Sequence, residues 1–189
     1  DNGYYIMIAD GVNLWAFDLI LQTMQEVTPD DFTNPTYVKY FNQRFYAINN
    51  DPTKQFGTDQ VPNNNKIYFS EVGPTGCLTW LNLSYIPTES SADANIAIEV
   101  LSNAVWVFGQ SSYELFQTNP NPDAPLSRIG GASGEIGCLA PNSVAKIGGS
   151  VFWLGASKAG NNQIYMSQGS QPVEISNNAI SDQLDKMGD

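Results

Sequence analysis

The sequence predicts an all-β fold, a β-propeller of which this chain supplies about three and a half four-stranded antiparallel blades. Two observations support this prediction. Aromatic strand pairs recur along the chain about 45–50 residues apart, and the central strands are apolar on both faces. That interval is the period expected of propeller blades. Because a blade buries its faces only against neighbouring blades, the repeat predicts stacked sheets.

The repeat is built from two kinds of short apolar run that are separated by a polar turn. The first kind occupies residues 45–48, 105–108 and 151–154, and the second kind occupies residues 14–17, 67–69, 114–116 and 164–166. The second runs centre on Trp15, Tyr68, Leu115 and Tyr165, which lie 53, 47 and 50 residues apart. We expect one propeller domain, or part of one, over residues 1–189. Its blade-like units are expected at about 4–27, 36–83, 96–129 and 138–176.

Turn signals place the strands of the first two units. Asp10-Gly11 is a tight-turn signal, Asn42-Gln43 joins two strands, and the polar residues 50–65 form a long loop. The strands expected here are Tyr4–Ile8, Asn13–Phe17, Met24–Val27, Tyr37–Phe41, Arg44–Asn49, Lys66–Glu71 and Leu78–Leu83.

The last two units are divided in the same way. Ser102-Asn103 and Gly148-Gly149 are hairpin turns, and Asn119–Pro125 must be a loop because it carries three prolines. The strands expected here are Ile96–Leu101, Val105–Phe108, Tyr113–Gln117, Leu126–Ile129, Ser143–Ile147, Val151–Leu154, Gln163–Met166 and Pro172–Ile175. Residues 177–187 are expected to form a short helix that starts near Asn178 or Ser181.

The runs at 105–108 and 151–154 distinguish between two all-β architectures. Both are apolar at consecutive positions, whereas a strand at the edge of a sandwich alternates apolar and polar residues. A strand that is apolar on both sides sits inside a stack, with a sheet above and a sheet below. The pattern therefore favours a propeller over a two-layer sandwich, which remains the alternative.

Composition limits the classes of function. The chain of 189 residues is 42% hydrophobic and 12% aromatic, which is typical of a folded domain. It carries 8 basic and 19 acidic residues, a net charge of −11. Tight DNA binding requires a basic face, so this charge argues against it. Two interpretations of the acidic charge remain. It forms a wall along which DNA passes without sticking, or it is a surface charge that only confers solubility.

Other features bear on compartment and completeness. Cys77 and Cys138 are too few for a disulfide framework and are interpreted as buried free thiols. No apolar run reaches the ~20 residues that a membrane-spanning helix needs, and no signal peptide is visible. The chain starts without methionine inside a shortened first unit, so we expect it to be a piece of a longer polypeptide.

The available chemistry is narrow because the chain has no histidine. This excludes Ser-His-Asp and Cys-His catalysis and most catalytic zinc sites. A carboxylate pair about 5–10 Å apart in one cleft could still cleave glycosides. The candidate carboxylates are Asp10, Asp18, Glu71, Glu99, Glu114 and Glu135, and we expect Glu99 and Glu114 on exposed strand faces or blade rims. We predict no catalytic, cofactor-binding or metal-binding residues and no cofactor.

Several weaker motifs have structural explanations. Residues 130–137 resemble a phosphate-binding loop, but a strand pattern and Pro141 follow instead of a helix, so we interpret them as a link between blades. Asn49-Asn50-Asp51 and Asn119–Asp123 are interpreted as turns rather than calcium ligands. Asn82-Leu83-Ser84 matches a glycosylation acceptor that is common by chance. The central aromatic residues are expected in the core rather than in sugar stacking: Trp15, Tyr68, Trp106, Phe152, Trp153 and Tyr165.

Part of the sequence resembles a known family. Residues 105–116 look like the "vfG-S-ieyf" hairpin of the packaged-DNA stabilisation proteins of short-tailed bacteriophages. Residues 126–129, 137–143, 151–155, 163–165 and 173–180 follow in the same order as in that family, and residues 37–47 and 66–70 resemble the preceding blade. The resemblance covers about residues 36–184 and is most specific over 96–180.

The resemblance implies a structural virion protein with no catalytic residues. It implies a tail hub or nozzle subunit that forms a homo-oligomeric ring, a hexamer, below the portal and its adaptor ring. Such a ring would contact distal tail proteins, help to retain packaged DNA and form its exit channel. The protein would be made in the host bacterial cytoplasm and reside in the phage tail. The alternatives are a carbohydrate- or receptor-binding propeller, for which Phe32 and Phe56 are the loop candidates, and a propeller glycosidase.

Overall fold

Four antiparallel sheets make up the protein in a computed structural model that describes residues 1–30, 32–49, 63–89, 93–156 and 162–187. Within these residues each sheet is a meander, because hydrogen-bonded neighbours are consecutive in sequence. One sheet has three strands and three sheets have four strands. The predicted all-β fold class is therefore confirmed.

Sheets 1 and 2 come from the first half of the chain. Sheet 1 consists of β1 (Tyr5–Ala9), β2 (Leu14–Asp18) and β3 (Met24–Val27). Sheet 2 consists of β4 (Pro35–Phe41), β5 (Arg44–Asn49), β6 (Lys66–Phe69) and β7 (Tyr85–Pro87). A short 3-10 turn at Asn63–Asn65 precedes β6. Most of the predicted loop at 50–65 lies outside the described residues.

The predicted strand Leu78–Leu83 is wrong, because the last strand of sheet 2 is β7. Residues Gly76–Leu78 form a 3-10 turn instead. Trp80 is nevertheless buried, and its indole N–H donates to the carbonyl of Cys77 at 2.8 Å. Trp80 thus fills the core from a loop, whereas Leu81 and Leu83 are exposed. A local apolar pattern does not distinguish this arrangement from a strand.

Sheets 3 and 4 and one helix complete the described structure. Sheet 3 consists of β8 (Asn95–Leu101), β9 (Ala104–Gly109), β10 (Tyr113–Thr118) and β11 (Leu126–Gly134). Sheet 4 consists of β12 (Ala145–Ile147), β13 (Ser150–Ala156), β14 (Asn162–Gln168) and β15 (Gln171–Glu174). The short helix α1 (Asn178–Met187) is confirmed. The start predicted for β12 is wrong, because Pro141–Ser143 forms a 3-10 turn.

The chain divides into two compact units, each with its own core. The first unit contains residues 1–89 and 118–126, and the second contains residues 90–117 and 127–189. The core of the first unit includes Met7, Leu14, Ala16, Val27, Phe32, Phe45, Ala47, Tyr68, Cys77 and Trp80. The core of the second unit includes Ile96, Ala97, Leu101, Trp106, Phe108, Tyr113, Leu115, Ala132, Cys138, Val151, Trp153 and Tyr165.

The two runs that are apolar on both sides behave differently. In β9, Val105 through Phe108 are all buried, as the sequence predicts. In β13, Val151 and Trp153 are buried, whereas Phe152 and Leu154 are only half-buried. Successive side chains point to opposite faces of a strand, so β13 has one buried face and one partly exposed face.

The β4–β5 turn contains a residue in an unfavourable conformation. Asn42 and Gln43 have φ values of 45° and 67°, and a type I′ turn requires positive φ at both central positions. Asparagine tolerates this conformation because its short polar side chain can hydrogen-bond the local backbone, whereas glutamine lacks this compensation for crowding at its Cβ. We expect Gln43→Gly to raise the free energy of unfolding by about 0.5–1 kcal/mol, measured by urea denaturation. Asn42→Gly is the matched control and should gain less. An equal or larger gain at Asn42 would contradict this explanation.

Candidate functional site

Glu99 and Glu114 are buried, so their predicted placement on exposed faces or rims is wrong. Glu99 lies opposite Trp106 and Glu114 lies opposite Val107, on either side of β9. Because neighbouring residues of β9 point to opposite faces, the two carboxylates also project from opposite faces of sheet 3. They therefore do not form the carboxylate pair that glycoside cleavage requires.

Glu114 has a clear structural partner that the sequence did not reveal. The guanidinium Nε of Arg128 on β11 donates to Glu114 Oε2 at 2.7 Å. The Glu114 side chain is 4% exposed and that of Arg128 is 35% exposed. The Arg128 guanidinium on the adjacent strand thus neutralises the buried carboxylate of Glu114. The ion pair therefore has a role in folding.

Asp10 and Asp18 stabilise turns at the two ends of the β1–β2 hairpin. Asp10 Oδ1 accepts hydrogen bonds from the N–H groups of Asn13 and Val12, and Oδ2 accepts one from the indole of Trp15. These bonds, chiefly that from Asn13, lower the pKa of Asp10. The pKa of Asp18 is also lowered, chiefly by the hydrogen bond from the backbone of Leu21. Both carboxylates accept hydrogen bonds from residues close to them in the sequence, chiefly from backbone N–H groups.

The remaining two candidates lie in different surroundings. Glu135 is exposed in the segment that follows β11. Glu71 follows β6, where one carboxylate oxygen is 3.9 Å from an Arg44 nitrogen. It also borders an open cavity of about 300 Å³ within the first unit. Among the described residues, no group of three or more cysteine and acidic side chains is placed to hold a metal ion.

The aromatic residues mostly fulfil the prediction that they form the core. Tyr68, Trp106, Trp153 and Tyr165 are buried, whereas Trp15 and Phe152 are half-buried. Phe32, a loop candidate for ligand binding, is 5% exposed and stacks on Tyr68 with ring centroids 4.2 Å apart. The other loop candidate, Phe56, lies outside the described residues. Phe32 is therefore buried in the core and does not support the receptor-binding alternative.

Both cysteines are buried and free, as predicted. Burial raises the pKa of each thiol, Cys77 and Cys138, to about 11. A thiol with so high a pKa is almost entirely protonated at neutral pH and is a poor nucleophile. Neither cysteine is arranged for covalent catalysis.

The weaker motifs of the sequence form ordinary strands and turns where the structure describes them. Residues 130–134 belong to β11, so the predicted link between blades is partly wrong, and no helix follows to complete a phosphate site. In the turn at Asn119–Asp123, Asn119 Oδ1 accepts from the N–H of Asn121 and Asn121 Oδ1 accepts from that of Asp123. Asn82 is exposed in a turn, and Asn50-Asp51 lies outside the described residues.

The surface charge of the described residues is predominantly acidic. Exposed carboxylates occur in both units, at Asp1, Asp10, Glu26, Asp30, Glu89, Asp123, Glu135, Glu174, Asp182 and Asp185. Several basic side chains contact groups within the chain. Lys66 lies 3.8 Å from the ring centroid of Tyr85, and Lys146 donates to the carbonyl of Val100. The described surface therefore offers mainly negative charge to a partner.

Successive antiparallel meanders with aromatic residues in their cores define an all-β protein built from blade-like sheets. The family model Phage stabilise, described as Bacteriophage P22 Gp10, beta-propeller, matches residues 1–189. The chain therefore belongs to this β-propeller family of phage packaged-DNA stabilisation proteins, as its sequence resemblance suggested. No individually curated protein matches it. No helix among the described residues is long and apolar enough to cross a membrane.

Proposed function

We propose that the protein is a subunit of a phage tail hub or nozzle that forms a ring below the portal. The ring helps to retain packaged DNA and forms part of its exit channel. Membership of a family of phage structural proteins carries this proposal, because it makes the protein a component of the virion. The four sheets then act as blades of one propeller, or part of one, made in the host cytoplasm and assembled onto the portal adaptor and distal tail proteins.

Charge supports confinement of DNA rather than tight binding. A protein that grips DNA neutralises phosphates with lysine and arginine and releases counterions. Here 19 acidic residues oppose 8 basic residues, and the buried Arg44 is committed to backbone carbonyls. Phosphates would be repelled by most of the described surface, so DNA could pass along it without adhering.

We expect the full-length protein to form a defined ring, a hexamer by resemblance, when the adaptor ring is present. Native mass spectrometry of the protein alone and with its adaptor measures this directly. A protein that remains monomeric with the adaptor present would contradict the ring and favour a receptor-binding module.

We also expect negligible affinity of this chain for duplex DNA in a shift assay at low salt. Reduced screening strengthens repulsion between like charges, so lowering the salt should not produce binding. The neutralised variant Glu174→Gln/Asp182→Asn/Asp185→Asn is the control, and it should also fail to bind because it supplies no phosphate clamp. Sub-micromolar binding by the unmodified chain would contradict passage without adhesion.

A further inference from the structure

The first unit contains a groove that none of the functions above uses. Its volume is about 300 Å³, and it is lined by Phe69, Glu71, Leu81, Asn82, Leu83, Ser84, Pro122 and Asp123. Half of these residues are apolar and two are carboxylates, whereas none is basic. In a binding site, polar groups fix the orientation of a ligand and apolar side chains supply contact area, and this groove offers both.

A buried arginine connects the two sides of the groove. Arg44 donates from one guanidinium nitrogen to the carbonyl of Ser70 at 2.7 Å and from another to the carbonyl of Pro122 at 3.3 Å. Its guanidinium carbon also lies 5.3 Å from the ring centroid of Phe69. Arg44 thus joins the end of β6 to the loop that carries Asp123, and it acts as a positioning residue behind the groove.

The loop between the 3-10 turn and β7 exposes two leucines at the groove. Leu81 is 49% exposed and Leu83 is 70% exposed. Leu83 has a φ of 66°, which is rare for leucine, costs energy and persists only where surrounding contacts hold it. Those contacts are backbone hydrogen bonds from Ser84 to Leu81, from Tyr85 to Leu83 and from Phe69 to Ser84. The loop therefore presents the two side chains to solvent in a defined arrangement.

We propose that this groove binds an arginine or lysine side chain, flanked by apolar residues, from a different protein. Asp123 supplies the carboxylate that pairs with the cation, and Glu71 adds a second one that is partly neutralised, because one of its oxygens lies 3.9 Å from an Arg44 nitrogen. Leu81, Leu83 and Pro122 supply contact area for the apolar neighbours of the cation. Carboxylates pair well with guanidinium groups, which can bond both oxygens. The site does not depend on a tail role for the protein.

The chain's own charge favours a different protein over a second copy. Only 8 of 189 residues are basic, and Arg44, Lys66, Arg128 and Lys146 already contact groups within the chain. Two copies at a net charge of −11 each also repel one another. A partner with a basic, partly apolar segment avoids both difficulties.

The test uses two capped tripeptides, acetyl-Leu-Arg-Leu-amide and its counterpart with neutral citrulline in place of arginine. Each is titrated into the whole chain, labelled with ¹⁵N, and amide shifts are followed by NMR. We expect the arginine peptide to shift the amides of Asn82, Leu83, Ser84 and Asp123 selectively. The citrulline peptide should bind about tenfold more weakly, as expected when a charged hydrogen-bonded pair is lost.

Substitutions test whether the arginine peptide binds at the groove. Glu71→Gln/Asp123→Asn should reduce affinity for the arginine peptide about tenfold and abolish its preference over citrulline. Glu26→Gln on β3 removes an exposed charge of the same kind outside the groove and should leave binding unchanged. If the double variant fails to fold, Asp123→Asn alone serves, because Asp123 lies on an exposed loop.

Three results would overturn the site. These are no selective shifts with the arginine peptide, equal affinity for the citrulline peptide, or an equal loss of affinity in Glu26→Gln. An equal loss of affinity in Glu26→Gln would show that the peptide is attracted to the acidic surface as a whole. A ring that forms normally while the peptide fails to bind would overturn the groove and leave the tail role intact.

Discussion

Trp153→Ala and Trp106→Ala are each expected to lower the free energy of unfolding by about 3–5 kcal/mol, the cost of removing a large aromatic side chain from a core. Each residue is 1% exposed, and their ring centroids are 6.0 Å apart in the core of the second unit. Trp153 also lies 5.0 Å from Phe108 and stacks on Tyr165. Either truncation leaves a cavity that these rigid neighbours can fill only in part. Urea denaturation followed by circular dichroism measures the change.

The strand itself provides a control for the tryptophan variants. Phe152 neighbours Trp153 in β13 but points to the opposite, half-buried face, so Phe152→Ala should cost clearly less. Because the two tryptophans are in contact, the double variant should lose less than the sum of the single changes. Either single variant unfolding within about 0.5 kcal/mol of the unmodified protein would contradict core placement, since that is the range of surface substitutions.

Arg128→Met is expected to destabilise the protein by about 2–4 kcal/mol, somewhat less than the loss of a partner from a fully buried ion pair. It removes the guanidinium that lies 2.7 Å from the Glu114 carboxylate. The carboxylate stays buried without this counter-charge, whereas the partial exposure of Arg128 lets solvent offset some of the cost. Denaturant unfolding of the single variant measures the loss.

A double-variant cycle tests whether the two residues interact. Glu114→Leu/Arg128→Met removes both charges, and it should recover much of the stability because no uncompensated charge remains. Lys186→Met removes an exposed cation from α1 and should have almost no effect. If Arg128→Met costs the same whether or not Glu114 is present, the ion pair contributes nothing.

Short-range patterns predicted most of the strands. β3 and β5 begin and end at the predicted residues, and most other strands differ by one or two residues at an end. Strand runs are recognisable because β-branched and aromatic residues are bounded by turn signals. The exceptions are β7 and the long β11, where a 3-10 turn or glycines interrupt the local pattern. The prediction placed Trp80 in a strand because a buried tryptophan in a loop gives the same local apolar pattern as a strand.

The candidate residues were harder to place because their roles depend on pairing. The sequence shows that Glu99 and Glu114 exist, but strand register decides that they project from opposite faces. The groove beside Glu71 is not visible in the sequence either, since it joins residues 69 and 71, 81–84 and 122–123. The one available signal was Arg44, a charged residue directly before the apolar run at 45–48, which indicates a buried polar contact.

The sequence alone determined the all-β class, the repeat, the absence of histidine chemistry and the acidic charge, and it supplied the resemblance that the family match confirms. These depend on composition and on patterns a few residues long. The tertiary structure decided which carboxylates are buried, which strand closes sheet 2 and where a groove opens. The reason is physical: burial, ion pairing and cavity shape arise from contacts between distant segments, whereas strand propensity and turn formation arise from near neighbours.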